Sequence, residues 1–168
     1  MKCKILLLQL LFLCATARSQ VIIINNPISD SIFYAANNYL PLGIAQQQNN
    51  NTYSVIYSFI TDSSYKMKKV YLDSAQTKLL SKVFYHQGKL HGPFEAYQQG
   101  NIQAKGRYKE GKLHEEKKTY YSNGTVYEKA SYQNGIKTGV WEYYKINGAL
   151  MRRITYGSNG IMLQEQFF

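Results

Sequence analysis

From residue 88 to residue 160 a glycine closes a turn-like dipeptide at nearly constant intervals. The positions are Gly88, Gly100, Gly111, Gly124, Gly135, Gly148 and Gly160, at spacings of 12, 11, 13, 11, 13 and 12. A turn every dozen residues leaves strands of about eight residues between turns. Four of the seven pairs are Asn-Gly, at 123–124, 134–135, 147–148 and 159–160. Asn-Gly suits a type I′ hairpin turn, in which both central residues need φ > 0. The chain therefore reads as all-β: an antiparallel meander of β-hairpins, preceded by a short irregular or partly helical N-terminal segment.

Two strands make one repeat. Tyr85, Tyr108, Tyr132 and Tyr156 open successive units at spacings of 23, 24 and 24. Four residues after each unit's first glycine stand Gly92, Glu115 and Gly139. Six after it stand Phe94, Lys117 and Trp141, and nine after it Tyr97, Tyr120 and Tyr144. The second strand carries Ile102, Val126 and Leu150, then Gly106, Ala130 and Ile154 four residues on. Residues 79–85 fit the same frame as a partial repeat. Simple alternation places both second-strand columns on one face with the opening tyrosines, and Lys82, Lys105, Lys129 and Arg153 on the other. Those cations recur two strands apart, roughly 10 Å, about one Debye length at physiological salt. They read as a solvated outer face; the sharper alternative is a stripe that binds an anionic surface. The sixteen tyrosines invite a glycan- or base-stacking reading. Tyrosine also fits a half-buried pleated surface, ring packed and hydroxyl wet, and at repeat spacing that structural reading is preferred. The middle unit has Glu115 for glycine and Lys117 for an aromatic, so it is expected to be the least self-sufficient.

The pattern begins before the repeats. Tyr53, Val55, Tyr57 and Phe59 alternate with Ile56 and Ile60, a strand signature. Thr61 to Ser64 reads as a turn, and Lys66 to Leu72 as the returning strand. The repeat domain is accordingly set at 52–168, with its clearest repeats at 85–161. Residues 20–51 form a variable leader. In it Val21–Ile24 is a candidate strand, 29–40 a candidate short helix capped by Ser29 or Asp30 and stopped by Pro41 and Gly43, and Gln46–Asn51 a loop. Residues 1–19 predict a secretory signal peptide: Lys2 and Lys4, an apolar run from Ile5 to Ala15 broken by Gln9, and small residues at cleavage spacing. The expected cut precedes Gln20, with the bond after Ala17 as second choice. Lipidation at Cys14 wants a small residue before it, where Leu13 stands, so export to the periplasm or beyond after cleavage is expected, with anchoring at Cys14 the less favoured alternative.

Both cysteines, Cys3 and Cys14, fall inside that segment. The processed chain is left with no thiol for a disulfide, a metal or a nucleophile. From Gln20 to Tyr65 there is no Lys or Arg, whereas from Lys66 onward 17 Lys and Arg oppose 8 Asp and Glu. A basic domain of this kind meets nucleic acid, anionic lipid or acidic glycan, and export argues against nucleic acid. The histidines, His86, His91 and His114, predict no metal site. His91 and His114 occupy equivalent positions two strands apart, too far for one ion with donors at ~2.0–2.1 Å. His86 and His91 flank a turn, but no third ligand is evident. Glu115 and Glu116 are adjacent and point to opposite faces, a poor geometry for paired carboxylates. No Gly-x-Ser-x-Gly elbow and no phosphate loop occurs. No catalytic residue, cofactor or enzyme activity is expected.

The series Y-x-x-G-x-x-x-G-x-W-x-x-Y-Y followed by N-G-x-L, best carried by Gly135, Gly139, Trp141, Tyr143, Tyr144, Asn147, Gly148 and Leu150, resembles the MORN-repeat variant of exported bacterial proteins and of YwqK-like antitoxins. The match covers roughly residues 68–161. The resemblance implies a β-hairpin array with a binding or scaffolding role and no catalytic residues. An unidentified protein partner is expected first, attachment to anionic lipid or glycan second, and an antitoxin role third.

If the turns are as read, Gly124→Val and Gly148→Val should each destabilise the fold by at least ~1–2 kcal/mol, since a β-branched side chain is disfavoured at φ > 0. Thermal melts measure this, and parent-like melting of both variants would exclude left-handed glycines there.

Overall fold

The computed structural model describes residues 39–43, 46–48 and 51–168. The expected signal peptide, Cys14, the candidate strand at Val21–Ile24 and most of the candidate helix lie outside these residues. Among the described residues the protein is all-β, one antiparallel sheet of fourteen strands. They are β1 (Tyr39–Pro41), β2 (Gln46–Gln47), β3 (Tyr53–Phe59), β4 (Tyr65–Tyr71), β5 (Leu79–His86), β6 (Lys89–Gln98), β7 (Asn101–Lys109), β8 (Lys112–Leu113), β9 (Glu115–Tyr120), β10 (Val126–Gln133), β11 (Ile136–Lys137), β12 (Gly139–Tyr144), β13 (Leu150–Tyr156) and β14 (Met162–Phe167). From β3 onward each long strand pairs with the long strand before it, as a hairpin meander requires, and the two-residue β8 and β11 lie off this path on β7 and β10.

The leader departs from expectation where it is described. Tyr39 and Leu40, read as the end of a helix, form β1 on the outer edge of β3, and Gln46–Gln47, read as loop, continue along that edge as β2. The exposed backbone of β3 accepts whatever chain lies beside it, and edge pairing outweighs weak local propensity.

The turns divide by length. Gln87-Gly88, Gln99-Gly100, Glu110-Gly111 and Asn134-Gly135 have positive φ at both residues, as type I′ demands. At Gly124, Gly148 and Gly160 only the glycine is left-handed. There the glycine N–H closes onto the carbonyl three residues back (Tyr121, Lys145 and Gly157, at 2.9, 2.8 and 3.0 Å). The preceding Asn Oδ1 accepts from the backbone N–H two residues on, at 3.0 to 3.1 Å. This is the three-residue loop, a type I turn with a glycine bulge. Three of the four Asn-Gly pairs therefore do not form the expected type I′ turn. The physical reason is count: the glycine follows the last strand tyrosine by four residues in these loops, and by three in the two-residue loops.

A second departure concerns the faces. Directly opposed residues share a face, and the register shifts once in each return strand, where β5, β7, β10, β13 and β14 meet the strand before them. The extra residue of each bulge reverses the alternation. Ile102, Val126 and Leu150 thus oppose Tyr97, Tyr120 and Tyr144 on the face of the basic column, and not on the face of Gly106, Ala130 and Ile154 as simple alternation gave. The opening tyrosines do keep the expected company.

Both faces carry core, at different ends of the sheet. On the lysine face Tyr39, Phe59, Tyr65, Met67 and Phe84 form one buried cluster. On the opposite face Ala130, Trp141 and Ile154 form the other, flanked by Tyr132, Tyr143 and Tyr156. Trp141 is only 3% exposed. Its ring lies 5.0 Å from Tyr132 and 5.3 Å from Tyr156, and its indole N–H donates to the Ser131 carbonyl at 3.0 Å. Lys137 crosses above it, with Nζ 4.8 Å from the ring centre. Side chains from neighbouring strands pack tilted or edge-on against the ring and do the work of a second layer.

The column Phe94, Lys117, Trp141 faces Gly106, Ala130, Ile154 across each hairpin. Gly106 has no room for more: a methyl group there would meet Phe94 Cε1 at 2.9 Å and the backbone of Glu116 and Lys117 at 3.2 Å. In the middle unit Glu115 holds a left-handed φ of 64°, where the other units have Gly92 and Gly139 at 95° and 64°. A non-glycine residue pays ~1–2 kcal/mol in that conformation. Glu115→Gly should therefore be more stable than Glu115→Ala by about 1 kcal/mol, because both remove the carboxylate and only glycine relieves the backbone. Chemical denaturation of the pair measures the gap; equal stability would refute the strain.

Candidate functional site

Cross-strand register assembles one row on the lysine face: Lys69, Lys82, Glu95, Lys105, Lys118, Lys129, Glu142 and Arg153. All four residues of the expected basic column lie in it. Two of them are paired within the row, Lys82 to Glu95 and Arg153 to Glu142, both at 2.7 Å. The other two lie over tyrosine rings, Lys105 at 5.7 Å from the Tyr120 centre and Lys129 at 5.0 Å from that of Tyr144. Tyr97 and Tyr144 hydroxyls donate to Glu95 and Glu142 at 2.7 and 2.6 Å. The repeat aromatics thus split by role. Tyr97, Tyr120 and Tyr144 belong to the charged row, whereas Phe94, Tyr108, Tyr132, Trp141 and Tyr156 pack on the opposite face. Tyr85 faces the same way, opposite Leu90.

Lys69 and Lys82 are directly opposed, and the middle unit puts three cations side by side. Lys105, Lys118 and Lys129 are consecutive in the row with no acid between them. Lys118 is met instead from along its own strand by Glu116, at 2.6 Å. Lys118 was not singled out from sequence, because it occupies the place that Glu95 and Glu142 hold in the other units. Glu115 and Glu116 were expected to point to opposite faces, but Glu115 approaches Arg107 at 3.6 Å and Glu116 reaches Lys118, and both of these partners lie on the lysine face; the left-handed φ of Glu115 breaks the alternation.

The titration of these groups follows their partners. Burial pushes the Tyr97 hydroxyl up to about 12, helped by its bond to Glu95. The Glu142 carboxyl is held below its ordinary value by the Tyr144 hydroxyl first and the Arg153 guanidinium second. Burial alone would raise Glu95, but hydrogen bonds from Lys82 and Tyr97 bring it below the usual range. The Lys129 ammonium is raised, chiefly by its hydrogen bond with Tyr144.

A third group joins the two histidines that flank the first turn. His91 Nδ1 lies 3.2 Å from Glu110 Oε1, and one donor atom each from His86, His91 and Glu110 fall within 4.8 Å of one another. The expectation that no third ligand stands near His86 and His91 is corrected by Glu110. It lies 19 residues from His91, in the turn of the next unit, and only the stacking of successive hairpins brings it back.

No family model and no curated protein matches the chain. Among solved structures it is similar to a mutant of S. aureus TarM in complex with Fondaparinux, alpha-GlcNAc-glycerol and UDP, at 10% identity and a TM-score of 0.39, over 85% of this chain and 25% of that one. It is similar to the pneumococcal O-GlcNAc transferase GtfA in complex with UDP and GlcNAc, at 13% identity and a TM-score of 0.37, over 60% of this chain and 20% of that one. A further TarM structure matches at 14% identity and a TM-score of 0.31, over 66% of this chain and 25% of that one. The chain spans a quarter or less of the proteins it resembles, and no functional argument follows from likeness of this degree.

Glu142 yields a pH prediction. A carboxyl depressed in the folded state contributes stability that is present above its ordinary value of 4.5 and lost as pH falls through the folded value. Glu142→Gln should cost no more than about 1 kcal/mol at neutral pH, given solvent screening, and should flatten the acid limb as pH falls below 4.5. Urea melts across that range give the answer; an unchanged acid limb would show that the Tyr144–Glu142–Arg153 group does not form.

Proposed function

We propose that this chain is an exported, non-catalytic MORN-variant repeat module that presents a β surface to a protein partner. The observation that carries this reading is β14. Among the described residues it pairs only with β13, and all six of its residues are exposed. Leu163 and Phe167 are 67% and 73% exposed, with Ile161, Met162 and Phe168 beside them. A strand with an open row of backbone groups and apolar side chains is a template for strand addition by a partner. The apolar run at the N-terminus supports export, and the ion pairs and ring contacts of the lysine face support a structural use of its charge.

A second reading keeps one specific observation. Lys105, Lys118 and Lys129 stand adjacent, and near an anionic membrane each such cation contributes on the order of 1 kcal/mol. The two readings separate by salt and by variant. Pull-down from an envelope fraction with the protein carrying Leu163→Lys and Phe167→Lys should lose a partner that the parent captures equally well at low and high salt. Co-sedimentation with anionic vesicles should be weak for the parent and absent at physiological salt. Capture undiminished in the edge variant would refute strand addition. Tight vesicle binding abolished by changing Lys82, Lys105, Lys129 and Arg153 to Gln would favour the anionic surface instead.

A further inference from the structure

We propose that His86, His91 and Glu110 form a binding site for a divalent transition metal, with Zn2+ the best-suited ion. His86 ends β5 and His91 follows in β6, across the two-residue turn Gln87-Gly88. His86 opposes Lys89, and His91 lies two residues beyond Lys89 on the same face, so the imidazoles approach diagonally. Their ring centres are 5.5 Å apart and nearly perpendicular. Glu110 arrives from the next hairpin. The N–H of Gly111 donates to the Leu90 carbonyl at 2.7 Å, docking the Glu110-Gly111 turn beside His91.

The donors suit a borderline-soft ion. Zn2+ binds imidazole nitrogen at ~2.0–2.1 Å and carboxylate oxygen at ~2.0–2.2 Å. Two such arms at a tetrahedral angle put their donor atoms about 3.4 Å apart. His91 Nδ1 and Glu110 Oε1 already stand 3.2 Å apart. The set as a whole lies within 4.8 Å, so closing it to that separation takes movement of about 1 Å at the donor atoms. His86 is stacked on the buried Tyr65 ring at 4.2 Å and 14°, which limits the orientations it has to give up. Lys89 takes the other carboxylate oxygen of Glu110, at 3.2 Å, leaving Oε1 turned toward His91. Three protein donors leave a fourth tetrahedral position for water or for a group from a partner.

The repeats supply an internal control. In the next unit the positions of His86, His91 and Glu110 are held by Lys109, His114 and Asn134. His114 Nδ1 there accepts a hydrogen bond from the Asn134 backbone N–H at 3.3 Å. One histidine of the pair and the carboxylate are gone, and the remaining ring has a structural partner.

The test is titration of untagged protein with Zn2+ by calorimetry, with Co2+ as a second probe whose visible absorption reports tetrahedral coordination. One Zn2+ per chain is expected, with Mg2+ failing to compete because it prefers oxygen donors. His86→Gln, His91→Gln and Glu110→Gln should each weaken Zn2+ at least tenfold, and His114→Gln should leave it unchanged. Zn2+ should raise the melting temperature of the parent and of His114→Gln only. Glu110 is an exposed turn residue and its substitution is expected to leave folding intact, so Glu110→Gln decides if either histidine variant fails to fold. Absence of Zn2+ binding, binding undiminished in Glu110→Gln, or binding lost in His114→Gln would overturn the proposal.

Discussion

A sheet with core on both faces must build burial from its own neighbours, and this constraint governs the rest of the molecule. A large ring is covered only if long side chains from the strands on either side lie across it. Around Trp141 that role falls to Tyr132, Tyr156 and Lys137. Around Phe94 it falls to Tyr108, with Gly106 beneath the ring where a methyl group would not fit. Bulk in one strand is answered by its absence in the opposed strand, which is why the repeat reads as paired columns and not as isolated apolar positions.

The middle unit shows what happens when that pairing is relaxed. Lys117 stands where its neighbours have Phe94 and Trp141, and it reaches Glu128 at 3.6 Å. Glu115 holds a glycine conformation. On the lysine face the same unit replaces the acid of the row with Lys118. Its stability therefore leans on the backbone ladders it shares with the units before and after it, as expected for a hairpin in an array.

Strand order, the turn positions and the grouping of the opening tyrosines with Gly106, Ala130 and Ile154 were legible in the spacing of Gly and Tyr. Two things were not. The bulge that carries Ile102, Val126 and Leu150 to the lysine face leaves no residue-type signature, because Gln103, Tyr127 and Met151 have nothing in common. It is visible only as register. The division of the Asn-Gly turns was hidden by residue identity, which pointed to type I′, while loop length selected the type I turn with a bulge at three of the four. Glu110 escaped notice because ligand spacing along a chain says little when the donors come from successive turns. Aligning the turns in the repeat frame would have set it beside His91.

Those turns also touch in a regular way. The N–H of Gly111 reaches the Leu90 carbonyl and that of Gly135 reaches the Leu113 carbonyl, both at 2.7 Å, while Gln87 N–H reaches Ser64 at 3.0 Å. Along this margin the hairpins are latched tip to flank, one to the next. The opposite margin carries looser side-chain ties, such as the Tyr121 hydroxyl to the Tyr144 carbonyl. A sheet latched through its backbone along one margin and through side chains along the other has an asymmetric compliance. Bending strain on the array concentrates on the side-chain margin, and the latched margin sets the pitch at which successive units follow.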